Sequence, residues 1–226
     1  MPLRDRLILR VFLALLMAGA ILFVPAGTWR YWQAWVFLVV VFSFPLYTFL
    51  YFYKHDRPLL ERRLRSREKI SEQKSLIRIG KVLFLAISFL PSLDYRLVWS
   101  RALLGAVPPW LSLISDALIL AGLLLVFWVL RVNSYASRTI EVEAGQKVIS
   151  SGPYALVRHP MYLGSIVMWL FVPLALGSYV AWPAFALWTP FYVYRLLNEE
   201  KFLRQELPGY AEYCLRTHFR LIPYVW

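Results

Sequence analysis

From Trp32 to Tyr53 the chain carries no Asp, Glu, Lys, Arg or His. A helix of that length covers the ~30 Å hydrocarbon core of a bilayer. An apolar helix this long sets the class: a membrane-crossing chain, in which each segment must satisfy its own backbone polar groups. Comparable runs recur at Val11–Val24, Val82–Trp99 and Pro109–Leu130. The longest, residues 161–196, exceeds a single crossing and breaks at Gly177-Ser178. Ala18-Gly19-Ala20 would serve as a leader-cleavage site, but apolar residues continue past it and an uncleaved first span is expected. These lengths predict an all-α integral membrane protein of about six transmembrane helices, the last two a helical hairpin.

Composition agrees: 60% hydrophobic and 17% aromatic residues exceed what a soluble domain carries, and Trp and Tyr gather where lipid meets water. The net charge of +12 would suggest nucleic acid in a soluble chain. In a membrane chain basic residues mark cytoplasmic loops and anionic headgroups, so no nucleic-acid partner is expected, and membrane lipids are. The N-terminus, residues 54–81 (ten Lys/Arg against four acids), residues 131–160 and the tail 197–226 are basic, whereas 25–31, 100–108 and 177–181 hold only Arg30 and Arg101. Six spans with both ends cytoplasmic put every basic loop on the cytoplasmic side. The stretch 54–81 reads as a solvated loop on headgroups or, alternatively, as a substrate-docking surface. Asp94 and Arg96, late in the third run, are expected to pair or to reach the interface. Cys214 is the single cysteine, and His55, His159 and His218 lie far apart, so no metal site is expected. The chain then divides into N-terminal spans with their basic loop, 1–130, and one integrated C-terminal region, 131–226.

Two clusters in the C-terminal region carry chemistry. In SGPYALVRHPMYLG, residues 151–164, a Gly-Pro turn precedes Arg158-His159, and Pro160 is pre-set for a helix's first turn. The free N–H groups of that turn suit a carboxylate or phosphate. His159 and Tyr162 fall on nearby sides of the helix, and Tyr154 is able to fold back over its mouth. Interface anchoring would explain any one of these residues alone. In YRLLNEEKFL, residues 194–203, Arg195 and Glu199 share a helix face, as an ordinary ion pair or as part of a site. A hairpin brings this helix end beside the Arg-His-Pro mouth. A zwitterionic ligand would match the result, its carboxylate at the helix N-terminus and its ammonium near Glu199.

GPYALVRHPMYLG, a hairpin, RLLNEE and then LPGYAEYCLRTHFRLIP together resemble the isoprenylcysteine carboxyl methyltransferase family and the related phospholipid N-methyltransferases, over about residues 131–224. The resemblance implies S-adenosylmethionine as methyl donor at a cytoplasm-facing site. It implies donor contacts at Gln146, Lys147, Val148, Ile149, Tyr154, His159, Pro160, Met161, Tyr162 and Glu199, and an acceptor-positioning role for Arg195. The acceptor it implies is lipophilic or small: a prenylcysteine-like carboxylate is the family's namesake, and phospholipid amines and small thiols are the alternatives. Methyl transfer from a sulfonium to a carboxylate needs neither metal nor strong base, only in-line positioning and exclusion of water. Two other readings stand beside it. The membrane sterol reductases, which use NADPH, share a similar C-terminal arrangement. A transporter or scaffold is the non-enzymatic alternative, although the polar clusters sit at interfaces and not at mid-membrane.

Overall fold

The computed structural model describes residues 3–64, 80, 82–136, 142 and 145–226. Among these residues there is no strand. The helices are α1 (Leu3–Ala26), α2 (Trp32–His55), α3 (Arg57–Leu64), α4 (Leu90–Leu97), α5 (Trp99–Leu103), α6 (Pro109–Val132), a 3-10 turn at Gly152–Ala155, α7 (Pro160–Ala175), α8 (Trp182–Ala186), α9 (Thr189–Glu206) and α10 (Tyr210–Arg216). Residues 82–88 are helical as well. Most of the basic stretch (65–79 and 81) and part of the polar connection (137–141 and 143–144) lie outside the described residues.

Among the described residues, three helical segments are long and apolar enough to cross a membrane: Ile8–Ala26, Trp32–His55 and Pro109–Val132. Their apolar side chains point outward, with Val39, Leu50, Leu113 and Leu124 exposed, a display that suits lipid and not water. Pro160–Ala175 is apolar but shorter. The third apolar run does not form one helix. Pro91 has no N–H to return to the carbonyl four residues back, and its ring crowds that carbonyl. The chain turns at Phe89, restarts as α4, and turns again at Val98, whose backbone is left-handed (φ 52°).

The hairpin break falls at Gly177, as the sequence predicts. Gly177 takes φ +73° after α7. Its N–H donates to the Leu174 carbonyl at 3.0 Å and the Ser178 N–H to that of Pro173 at 2.8 Å. This paired closure satisfies helix-end carbonyls in a conformation that favours glycine.

Two compact units emerge, and each interleaves three stretches of chain. The first comprises Met1–Tyr47, Val82–Leu120 and Met168–Leu187. Its apolar core is Leu22, Phe23, Ala26, Tyr31, Ala34, Leu38 and Leu176. Asp94 turns inward: it is 3% exposed, accepts from the Ser100 N–H at 2.7 Å, and takes both the Ser100 and Ser178 hydroxyls. Arg96 is exposed.

The second unit comprises Thr48–Lys81, Ala121–Val167 and Trp188–Trp226. Gly164 of α7 lies against Gly122 of α6 so closely that a Cβ on Gly164 would stand 2.9 Å from the Gly122 carbonyl oxygen. Small residues permit such approach where membrane helices cross. Two clusters fill this unit: Phe52, Leu59, Leu130 and Ala136, and Leu207, Tyr210, Tyr213 and Cys214. The second unit contains the candidate site.

Candidate functional site

The Gly-Pro turn starts the site. Gly152 has φ +60°, and a Cβ there would come within 3.1 Å of Val132, so the turn packs onto the end of α6. The 3-10 turn that follows buries Pro153 and presents Tyr154. The Asn133 amide donates to the Tyr154 hydroxyl at 2.9 Å, and Tyr213 donates its hydroxyl to the Tyr154 carbonyl at 2.7 Å. Burial pushes the Tyr154 phenol up to about 12, against the opposing hydrogen bond from Asn133. It is therefore a neutral hydroxyl at working pH.

Arg158 and His159 are held by the tail as a short paired strip. The Arg158 N–H donates to the Phe219 carbonyl at 2.9 Å, and the His159 N–H to that of Arg220 at 3.0 Å. Their side chains converge on Glu200, which is 4% exposed. The Glu200 carboxylate receives Arg158 at 3.2 Å, His159 Nε2 at 3.3 Å, Arg204 at 3.1 Å, and Arg220 at 3.1 and 3.3 Å. Burial alone would raise its pKa. Hydrogen bonds from His159, Arg204 and Arg220, with the charge of Arg158, outweigh that and lower it to about 2. Glu200 is thus a permanent anion that fixes both side chains of the Arg-His pair.

Glu199, one residue earlier on α9, points elsewhere. Its carboxylate accepts the Tyr162 hydroxyl at 2.5 Å, and Arg195, one turn back, hydrogen-bonds to the same phenol.

Between these elements lies a cavity of about 250 Å³. All the residues to which the family resemblance assigns a contact line it: Gln146, Lys147, Val148 and Ile149 before the turn; Tyr154 after it; His159, Pro160, Met161 and Tyr162 at the mouth of α7; Arg195 and Glu199 on α9. The wall also contains residues to which the sequence alone assigns no role. Arg63 reaches in from α3, its guanidinium 3.4 Å from the Ala136 carbonyl and 3.9 Å from the Met161 sulfur. Asn133, Tyr135, Ser165, Tyr192, Tyr210 and Tyr213 add further polar groups to the lining. Glu200 and Arg220 stand behind it as support. The i,i+4 spacing of Glu200 and Arg204 is a sequence signal for the acid, and Arg220 lies within the family-like tail stretch 207–223, but nothing local marks Arg63.

Comparison with known proteins adds a family. Residues 110–208 match the family model described as phospholipid methyltransferase, a segment that runs from α6 to just past α9 and includes the cavity residues from Gln146 to Glu199. The Delta(14)-sterol reductase of Mus musculus is 35% identical over 91 residues, covering 39% of this chain. The match spans only 22% of that reductase's length.

Proposed function

We propose that the chain is a membrane-embedded, S-adenosylmethionine-dependent methyltransferase that acts on a lipophilic or small acceptor, a prenylcysteine-like carboxylate fitting best. The observation that carries the reading is the convergence of the motif residues, from Gln146 to Glu199, on one cavity within a segment matching a methyltransferase family. The donor set fits a zwitterionic sulfonium compound. Glu199 offers an acid to an ammonium, the helix mouth and its basic neighbours suit a carboxylate, and Val148, Ile149, Leu203 and Leu207 offer an apolar wall to a flat ring. When bound, the donor supplies an electrophilic methyl group. The chain's own residues position and desolvate. Tyr162 orients Glu199, Glu200 fixes His159, and Arg195 offers an anion a planar guanidinium fork. No residue has to remove a proton when the acceptor is a carboxylate.

The charge of the wall bears on the acceptor. Arg63, Lys147 and Arg195 face the cavity against Glu199, and Arg158 is balanced by Glu200. The guanidinium and ammonium groups among these lining residues suit an anionic acceptor better than a protonated amine. Arg195→Lys keeps the charge but loses the planar fork that matches a carboxylate. The acceptor KM should rise roughly tenfold, the loss of one charge-assisted hydrogen bond, with donor affinity within about twofold of wild type. Loss of donor binding with normal acceptor dependence would refute the acceptor-side role.

A second reading, an NADPH-dependent reductase, is favoured by the identity to the sterol reductase and by Arg63 and Lys147, which would suit a 2′-phosphate. Calorimetric titration with S-adenosylhomocysteine and with NADPH separates the two. Binding of NADPH alone selects the reductase.

The site belongs on the cytoplasmic side of a six-span protein in this reading, because the basic segments flank it. In intact cells an impermeant thiol reagent should label Leu104→Cys and leave Lys54→Cys untouched; the native Cys214 is buried. External labelling at position 54 overturns that orientation.

A further inference from the structure

Tyr210 opens α10, and its ring packs in the cluster of Leu207, Tyr213 and Cys214. The residue is 5% exposed and lines the cavity. Its hydroxyl is buried and has no hydrogen-bond partner among the described residues. The phenols around it differ. Tyr154 is held by Asn133, Tyr162 by Glu199, and Tyr213 by the Tyr154 carbonyl.

A buried hydroxyl without a partner is a cost to the folded protein, and such groups call for a reason. Packing does not supply one, since Phe would fill the same apolar cluster without the polar atom. A ligand in the cavity does. Burial, and after it the proximity of Cys214, Glu200 and Glu199, push the phenol's pKa upward, so the group remains a neutral hydroxyl with free lone pairs. A ligand group suited to both a carboxylate and a neutral phenol oxygen is a cation with more than one N–H. A primary ammonium has that chemistry.

We infer that Tyr210 is a ligand-binding residue whose hydroxyl oxygen accepts an N–H from the donor's primary ammonium, the charge of which Glu199 balances. The inference rests on the methyl-donor reading above and adds to it a contact from the tail, beyond the matched segment 110–208.

The test is calorimetry on the full chain in detergent with two probes. S-Adenosylhomocysteine carries the ammonium; 5′-methylthioadenosine shares the nucleoside and thioether but lacks the amino-acid portion. Tyr210→Phe should weaken S-adenosylhomocysteine about tenfold, as loss of a hydrogen bond to a charged group does, and leave 5′-methylthioadenosine within about twofold. The ligand-free melting temperature should stay equal or rise, because the variant deletes an unpartnered polar atom. In a Glu199→Gln background the same substitution should cost less, since both residues serve one ammonium. Unchanged S-adenosylhomocysteine affinity in Tyr210→Phe overturns the inference. So does equal weakening of both probes together with a lower melting temperature, which marks a structural role. If wild type binds neither probe, the methyl-donor reading falls and this inference with it. Binding by wild type with an indifferent variant removes only the role of Tyr210.

Discussion

Glu200→Ala should cost about 3–5 kcal/mol of stability, the loss expected when one partner of a buried ion pair is removed. The side chains left behind explain the size. Arg158 is 6% exposed and His159 5%, and neither gains water when the carboxylate goes. Arg220 loses the same partner, and with it the tail loses a side-chain tie beside the Arg158-His159 strip. The effect has a pH signature. Because the folded pKa lies near 2, below the ordinary 4.5, the contribution is complete above the unfolded value and is lost as pH falls from about 4.5 towards about 2. Glu200→Gln keeps the size without the charge. Its melting temperature should fall well below wild type at pH 7, and the gap should narrow by pH 3. A gap that stays constant across that range contradicts the assignment of Glu200 as the buried anion.

Donor affinity should respond most to Glu199. Glu199→Gln removes the charge that faces an ammonium but keeps an acceptor for Tyr162, so the local geometry survives. The loss corresponds to about 1.5–3 kcal/mol for a charge-assisted contact, roughly ten- to 150-fold in the Kd for S-adenosylmethionine. His159→Ala should also weaken the donor, and by a different route. His159 lines the cavity and is tied to Glu200, so its removal alters the wall and the buried network together. Glu199→Gln should therefore leave the melting temperature of the ligand-free protein nearly unchanged, whereas His159→Ala should lower it. Unchanged affinity in both variants would return these residues to membrane-interface anchoring.

The site was legible where its contacts are local in sequence or joined by a recognisable turn. Gln146 to Tyr162 form one turn-and-helix-mouth segment, and Arg195 and Glu199 one helical face. The break at Gly177 announces the hairpin that joins them. What periodicity cannot encode is contact between distant positions. Glu200 binds Arg158 across 42 residues, and Arg63 reaches Met161 across 98. Glu200 also adjoins Glu199, and a step of one residue turns the side chain by about a quarter of the helix. One acid thus faces the cavity and the next faces the support behind it. In the fold, hydropathy alone carried the third apolar run from Val82 to Trp99. Pro91, within that run, divides it, and Asp94 turns inward because Ser100 and Ser178 are placed to receive it. Pro160–Ala175, at 16 residues, falls short of the ~20 a crossing helix needs. Its apolar content and both its ends, Pro160 and the break at Gly177, were legible.

The most direct test of the central claim is methyl transfer itself. Purified protein would be incubated with methyl-labelled S-adenosylmethionine and a membrane lipid extract, and the label followed into the organic phase. The account predicts a labelled lipophilic product whose methyl group mild base releases as volatile methanol, as a carboxyl ester does, and whose formation Glu199→Gln abolishes or greatly slows. NADPH oxidation by the same preparation, with no label leaving S-adenosylmethionine, would contradict it.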